Sequence, residues 1–286
     1  MQPRDVRLTG RREARNVAEG DQVAEIGVIG GSGFYEFLDA AREVRVQTPY
    51  GPPSDAIVMG DVGGRRVAFL PRHGRDHRFP PHQIPQLANL WALRSVGVRQ
   101  VFAPCAVGSL RPELGPGTLV VPEQLVDRTR GRKSTYYDDG AVHVPFADPY
   151  CPVGRRAALD AGRGAGWQPV DGGTLCVVSG PRFSTRAESQ WHAAQGWSLV
   201  GMTSMPEAAL ARELALCYTG IALVTDLDAG LEQGGGVTHA EVLEVFGRNV
   251  ARLRDLLFDI VRSVPTTRDC PCPGVLDGLN LPFALP

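Results

Sequence analysis

Four short polar segments of the 286-residue chain carry side chains that could do chemistry, and each follows an apolar run. The first, Gly30-Gly31-Ser32-Gly33, could aim backbone amides and the Ser32 hydroxyl at an oxyanion. It does not match a dinucleotide fingerprint, because Glu36 stands where that motif needs Gly or Ala. It also lacks the Lys of a nucleoside-triphosphate loop. Alone, this segment predicts an anion site or a plain tight turn about equally.

The second segment, from Pro71 to His77, holds two Arg and two His directly after an apolar run. Arg72 could bind a phosphate group through two parallel charged hydrogen bonds, and His73 could add a donor. A solvated loop is the plainer interpretation. Because the segment continues from a buried strand, the pattern favours a site for a dianion.

The third segment follows the apolar run Leu199–Met202 and supplies hydroxyl groups before a predicted helix. Thr203 could bind an anion there, although capping of the helix is the simpler expectation.

The fourth segment, Thr225-Asp226-Leu227-Asp228, ends an apolar run with two carboxylates. On an extended chain Asp226 and Asp228 lie on the same side and repel each other unless donors lie between them. An aminopurine offers such a donor in its exocyclic amine, together with a ring nitrogen that gains a proton when the base leaves. One Asp with a pKa raised by burial could donate that proton. A helix cap or a divalent metal site are the alternatives, and no further acidic cluster at ligand spacing favours a metal.

The six cysteines are expected to be ordinary thiols. Cys105 has apolar surroundings, which favour a buried thiol over a nucleophile. Cys270 and Cys272 are too close for an ordinary bridge, and the sequence shows no second pair that would complete a zinc site with them. The remaining thiols are scattered through apolar or mixed segments, namely Cys151, Cys176 and Cys217. No metal site is therefore predicted.

The apolar patterns predict the elements that must position these segments. Strands are expected over 24–29, 66–70, 100–104, 118–121, 174–178, 199–202 and 218–224, and helices over 84–96, 184–195, 206–216 and 239–264. Their alternation indicates an α/β domain with a largely parallel central sheet. Ligands of such sheets bind where the strands end, which is where the polar segments lie.

Composition sets the remaining limits. A net charge of −1 disfavours nucleic acid as a partner. No apolar run is long enough to span a membrane, and residues 1–22 have no apolar core of a secretory signal, so a cytoplasmic protein is expected. The predicted organisation is a flexible arm over residues 1–23, a domain over 24–264 and a Pro-rich tail over 265–286 that drapes over the surface or over a neighbouring chain.

Taken together, the motifs resemble the methylthioadenosine phosphorylases, the trimeric branch of the purine nucleoside phosphorylases. The resemblance rests on Ile26–Phe34, Thr48–Asp55, Pro71–His77, Gly180–Ser189, Gly201–Glu207 and Thr225–Asp228. It implies a single α/β domain around a mixed central β-sheet flanked by helices, assembled as a homotrimer with sites at subunit interfaces. The implied reaction is phosphorolysis of an adenine nucleoside by orthophosphate, without cofactor or metal.

The resemblance also implies roles for individual residues. Asp226 matches the residue that assists protonation of purine N7, and Asp228 the one beside the 6-amino group. Phosphate ligands correspond to Ser32, Arg72, His73, Thr203 and the backbone of Ala106, with Cys105 beside them. Nucleoside contacts correspond to Phe183 on the purine, Met202 and His77 near the ribose, and His143 lent by the neighbouring subunit.

Two departures from the family pattern bear on specificity. Cys105 stands where animal members have Thr, so one phosphate hydroxyl is replaced by a weak thiol donor. His239 stands where methylthio-specific members have an aliphatic residue. A His gains little beside a thioether but can donate to a hydroxyl or a halogen, so the 5′ pocket is expected to tolerate a smaller or more polar group. A 6-oxopurine phosphorylase, a nucleoside hydrolase and a non-catalytic nucleoside-binding protein are the competing hypotheses.

Overall fold

A computed structural model describes residues 23–31, 42–229 and 238–286, with the backbone but not the side chain of His239. The strands are β1 (Ile26–Gly30), β2 (Arg42–Val44), β3 (Ile57–Val62), β4 (Arg65–Pro71), β5 (Gln100–Ser109), β6 (Leu119–Val121), β7 (Gln124–Arg128), β8 (Val170–Asp171), β9 (Thr174–Val178), β10 (Leu199–Gly201) and β11 (Cys217–Leu227). The α-helices are α1 (Gln86–Ser95), α2 (Pro152–Gly164), α3 (Arg186–Ala194), α4 (Ser204–Glu213) and α5 (His239–Ser263).

These strands form one mixed sheet in the order β2-β3-β4-β1-β5-β10-β9-β7, with β11 also pairing to β5 and β6, and β6 to β8. β1 runs parallel to β4 and β5, and β11 runs parallel to β5, whereas β10 is antiparallel to β5. The predicted fold, a mixed central β-sheet flanked by helices, is confirmed.

The two long central strands, β5 and β11, form because their sequences are apolar nearly throughout. Cys217 pairs with Gln100 at one end of the ladder and Leu227 with Ser109 at the other. Nearly every residue of both strands is buried. Continuous apolar runs are typical of strands that are covered on both faces.

Helices cover both faces of the sheet and divide its core into two layers. On one face α1 contacts α4, and Leu90 and Leu210 belong to the same buried cluster. On the other face α2 contacts α5, and Leu159 and Leu257 pack with Phe102 of β5. The central strands are therefore held from both sides.

Every strand and helix expected from the sequence is present, although β5 continues five residues beyond its expected end at 104. Several further elements were not anticipated: β2, β3, β7, β8 and α2. Helix α2 contains Gly154, Gly162 and Gly164, which lower its helix propensity and make the apolar periodicity of its sequence harder to recognise. β8 has only two residues, too few for an alternation pattern.

The C-terminal tail packs on its own domain. The ring of Phe283 lies 5.4 Å from those of Trp91 and Tyr137, measured between centroids. Residues 1–22 of the expected N-terminal arm lie outside the described residues, and the domain boundaries stay a prediction. Within the described part of the chain, none of the helices combines the length and apolar character needed to cross a membrane.

Candidate active site

A cavity of about 460 Å³ lies where several strands of the sheet end. Its lining joins the segments that follow β1, β4, β9, β10 and β11 with one stretch of β5. The predicted site residues that line it are Arg72, His73, His77, Cys105, Ala106, Phe183, Met202, Thr203, Asp226 and Asp228. The expectation that the polar segments meet at strand ends is confirmed.

Arg72 lies at the wall of this cavity as half of a buried ion pair with Glu207. Its side chain is 1 % exposed and that of Glu207 is 0 % exposed. Nε and Nη2 of Arg72 donate to the two carboxylate oxygens of Glu207 at 2.8 and 3.0 Å. Although burial alone favours the neutral form, the Glu207 charge and hydrogen bonds keep the pKa of Arg72 above its usual value.

The two parallel hydrogen bonds expected from Arg72 to phosphate are therefore made to Glu207 instead. Nη2 also donates to the carbonyl of Ile29 and Nη1 to that of Pro104, both at 3.0 Å. Of the five guanidinium protons, one on Nη1 remains for a ligand. The bidentate prediction was wrong because the sequence does not show which carboxylate the fork faces.

Arg75, the second arginine of the same segment, does not line the cavity. Its Nη2 donates to Glu43 at 2.6 Å, and its backbone N–H donates to Asp55 at 2.9 Å. The segment therefore brings one arginine, rather than two, to the site.

Glu207, the partner of Arg72, has no role among those predicted from the sequence. It also accepts a hydrogen bond of 2.7 Å from the hydroxyl of Tyr218 in β11. Tyr218 thus holds a carboxylate that accepts two further hydrogen bonds from Arg72. A signal exists in the sequence, since Glu207 lies between Pro206 and the apolar run Ala208–Ala211 of α4, and a carboxylate buried with them needs a partner.

His73 lies beside Arg72 with a defined orientation. Its Nδ1–H donates to the carbonyl of Phe79 at 2.8 Å, so the neutral ring presents Nε2 as an acceptor. Burial, with smaller contributions from Arg72 and His77, lowers the pKa of His73 to about 4. The His77 ring stacks on it with centroids 4.3 Å apart, in a backbone region with φ of 52° that few non-glycine residues adopt. The expected donor is thus an acceptor in the neutral state.

Thr203 occupies the N-cap position of α4, yet its side chain makes no capping hydrogen bond. The simpler expectation of a capping role was wrong, because the backbone at Thr203 does not direct the hydroxyl to the helix. The residue lines the cavity next to Met202, so its hydroxyl can meet a ligand there.

β5 passes along the cavity and contributes Cys105, Ala106 and Gly108. Burial raises the pKa of the Cys105 thiol to about 11, with the Arg72 charge opposing. A thiol with that pKa is a poor nucleophile, as expected from its apolar surroundings.

The two acidic residues lie at the end of β11, where the register with β5 shifts between Val224 and Asp226. Burial raises the pKa of Asp226 to about 6, opposed by a hydrogen bond of 2.7 Å from the Thr225 hydroxyl and reinforced by the Asp228 charge. The Asp228 carboxylate accepts from the Ser189 hydroxyl at 2.6 Å. Both line the same cavity, which confirms that they lie on one side of the chain.

Gly108 makes room for both carboxyl groups. A Cβ atom built on Gly108 would lie 3.0 Å from Oδ1 of Asp226 and 3.4 Å from Cβ of Asp228. A side chain at this position would therefore displace Asp226 and Asp228, the two residues that the resemblance assigns to the purine base.

Three predicted site residues are not placed in this cavity. Ser32 and the side chain of His239 lie outside the described residues, although Val242, one turn further along α5, lines the cavity. His143 is exposed and does not line the cavity of its own chain.

The arrangement separates an anion-binding end from an acidic end. Cys105, close to Arg72, and Gly108, against Asp226, are three residues apart in β5, which corresponds to about 10 Å along a strand. A pentose ring fits such a gap, with an anion on one side and a heterocyclic base on the other. The site can thus hold an attacking oxyanion and protonate a leaving base.

Known proteins share both the sequence and the fold. Residues 25–262 match the family model described as "Phosphorylase superfamily". A purine nucleoside phosphorylase of Streptomyces coelicolor is 68 % identical over 92 % of this chain and 98 % of its own. An S-methyl-5'-thioadenosine phosphorylase of Mycolicibacterium smegmatis is 58 % identical over 91 % and 99 %.

Solved structures agree with the sequence comparisons. A methylthioadenosine phosphorylase from an antarctic soil metagenomic library superposes with a TM-score of 0.84 and 39 % identity, covering 90 % of this chain and 92 % of its own. The chain therefore belongs to the family of purine nucleoside and methylthioadenosine phosphorylases within the phosphorylase superfamily.

Proposed function

We propose that this enzyme cleaves 5′-deoxy-5′-substituted adenosines of the 5′-methylthioadenosine type with orthophosphate, giving adenine and a 5-substituted ribose 1-phosphate. The observation that carries the proposal is one cavity with Arg72 at one end and, at the other, the carboxyl of Asp226, whose pKa burial raises to about 6. The methylthioadenosine phosphorylases among its relatives support the substrate class.

At the anion end, phosphate accepts hydrogen bonds from the remaining Nη1–H of Arg72, from the Thr203 hydroxyl and from backbone N–H groups near Ala106. Ser32, whose segment follows β1, adds a hydroxyl in this proposal. His73 presents a lone pair on Nε2 and accepts a hydrogen bond from the P–OH group of hydrogen phosphate, which keeps its proton. A phosphate oxygen, directed in this way, attacks C1′ of the ribose.

At the base end, the C1′–N9 bond breaks and its electron pair moves into the purine. Asp226 transfers a proton to N7, so adenine leaves as a neutral molecule. Asp228, held by Ser189, accepts from the 6-amino group, and Phe183 packs on the ring. Positioning and charge complementarity at the two ends supply the catalysis.

The 5′ substituent remains the open choice within this proposal. Met202, His77 and Val242 line the cavity and suit a methylthio group, whereas His239 favours a hydroxyl or a halogen such as fluorine. Adenosine or 5′-halo-5′-deoxyadenosine is therefore the alternative substrate. A 6-oxopurine nucleoside is disfavoured because its 6-oxo group offers no donor to Asp228.

A substrate panel with and without phosphate tests these choices by release of free base. We expect adenine from 5′-methylthioadenosine only when phosphate is present, and also from analogues with 5′-hydroxyl or 5′-fluoro groups. His239→Leu is the matched variant, and it should reduce use of the polar analogues relative to the methylthio compound. Release of adenine without phosphate would instead establish a hydrolase. Exclusive use of the methylthio compound by both proteins would refute the polar 5′ pocket.

We also propose that the enzyme is a homotrimer in which His143 completes the nucleoside pocket of a neighbouring copy. His143 is exposed on its own chain, which suits a residue offered across an interface. Light scattering should give a mass of three chains of 30.8 kDa each. A monomer that retains full activity would refute this assembly.

A further inference from the structure

Four cysteine sulfurs converge far from the cavity, at the other end of β11. The Sγ atoms of Cys151, Cys217, Cys270 and Cys272 all lie within 4.8 Å of one another. Those of Cys217 and Cys270 are 3.4 Å apart. In a tetrahedral zinc–thiolate site the Zn–S distance is about 2.3 Å, which places the ligand sulfurs about 3.8 Å from each other. The observed spacing therefore brackets that of a zinc site.

Three separate parts of the chain supply these sulfurs. Cys151 is the N-cap residue of α2, and Cys217 is the first residue of β11. Cys270 and Cys272 belong to the C-terminal tail. The second pair that the sequence did not show is therefore present, because the fold brings Cys151 and Cys217 to the tail. The expectation of scattered thiols was wrong for Cys151 and Cys217, which lie beside the Cys270 and Cys272 pair.

The surroundings of the cluster suit thiolates rather than neutral sulfur. The backbone N–H of Gly154 donates to Sγ of Cys151 at 3.5 Å. Nε of Arg268 donates to Sγ of Cys217 at 3.3 Å, while its Nη2 donates to the carbonyl of Ala215. Such donors stabilise negative charge on sulfur.

Positive charge accumulates on one side of the cluster. Arg99 donates a hydrogen bond to the carbonyl of Arg94. Both arginines lie close enough to Arg268 for electrostatic repulsion between their charges. Within the described ranges of the chain, no carboxylate forms an ion pair with any of these three arginines, and Nε of Arg94 is buried without a hydrogen-bond partner. A nearby dianion would balance this charge.

We propose that Cys151, Cys217, Cys270 and Cys272 bind one zinc ion that fastens the C-terminal tail to the domain. Binding releases the four thiol protons to solvent and leaves a zinc tetrathiolate of charge −2. Two disulfides are the competing state of the same sulfurs. Because disulfides are neutral, they would leave the positive charge of the three arginines without a counter-charge. The predicted cytoplasmic location also disfavours disulfides.

The proposed ion is structural. All four coordination positions are filled by protein, which leaves none for a substrate. The cluster lies at the start of β11, whereas Asp226 lies near its end. The reaction proposed above therefore proceeds without it, and failure of either proposal is distinguishable from failure of the other.

Elemental analysis of the full-length protein, purified under reducing conditions without chelator, tests the proposal. We expect about one zinc per chain, which is the stoichiometry of a site with four thiolates. Cys217→Ser and Cys272→Ser should lose the zinc. The matched control is Cys176→Ala, which removes a buried cysteine of β9 outside the cluster and should retain it.

A second measurement avoids the risk that these variants do not fold. Titration of the unmodified protein with a mercurial should release about one equivalent of zinc to a chromophoric chelator. Chelator treatment should lower the melting temperature, and cobalt substitution should give the absorption bands of a tetrahedral thiolate site. Two disulfides seen by mass spectrometry with no zinc would overturn the proposal. Free thiols that take up no added zinc would overturn it equally.

Discussion

Asp226→Asn is expected to slow phosphorolysis of adenine nucleosides at least ~10²-fold, since loss of a general acid typically costs that much. The Asn amide cannot transfer a proton to N7 of the leaving base. Its size and its acceptor for the Thr225 hydroxyl are retained, so the wall of the cavity should remain intact. Steady-state kcat and kcat/KM at saturating phosphate measure the effect.

The leaving group provides a control for this assignment. A 7-methylated adenine nucleoside already carries a positive charge and departs as a neutral base without a proton from the enzyme. The loss caused by Asp226→Asn should shrink strongly for that substrate. Asp160→Asn, an exposed change on α2, should leave both substrates unaffected. Equal losses on both nucleosides would remove Asp226 from the proton-transfer step.

The same substitution should make the protein more stable at neutral and higher pH. The pKa of Asp226 is raised to about 6 in the folded chain by burial, against about 3.9 when unfolded. Below the lower value both states are protonated and there is no penalty. As pH rises through 6, ionising the buried carboxyl costs up to about 2–3 kcal/mol. Urea unfolding should therefore favour the Asn variant at pH 8, with the advantage fading toward pH 4. Such a gain would also show that lost activity is not lost folding.

Arg72→Met should raise the KM for phosphate by ~10-fold to ~100-fold, the value of one charged hydrogen bond of about 1.5–3 kcal/mol. It should also destabilise the fold by about 3–5 kcal/mol, because Glu207 is left as a buried, unpaired charge. Phosphate titration of initial rates and urea unfolding measure the two effects separately.

The double variant Arg72→Met with Glu207→Gln separates anion binding from folding. Removing both charges should restore much of the stability, since the buried carboxylate is gone and Gln can still accept from Tyr218. The KM for phosphate should stay high, because no guanidinium is restored. A double variant with normal phosphate use would move the anion site away from this arginine.

Sequence reasoning predicted the parts of the site that are local in the chain. Arg72, Thr203 and Asp226 each lie at the end of a different apolar strand. That position is enough to place them at the same edge of a sheet, because strand ends meet there. The central strands and the long amphipathic α5 were equally predictable, since their apolar patterns are continuous.

Contacts between distant segments were the part that could not be predicted. Arg72 and Glu207 are in separate segments, and no local pattern shows that the carboxylate occupies the fork of the guanidinium. The tautomer of His73 likewise depends on a carbonyl several residues away that the loop folds back to meet. The pKa of Asp226 depends on how deeply the end of β11 is covered, which is a tertiary property.

β11 has one further consequence for how the protein ages and fails. Its start carries Cys217 and its end carries Asp226, about 30 Å away along a single buried strand. Oxidation or proteolysis of the tail would therefore destabilise the protein at the Cys217 end of β11, which is the end remote from the proposed active site. Such molecules would stay active at moderate temperature but unfold at a lower temperature than the intact protein. Storage stability and specific activity would therefore vary independently in this protein.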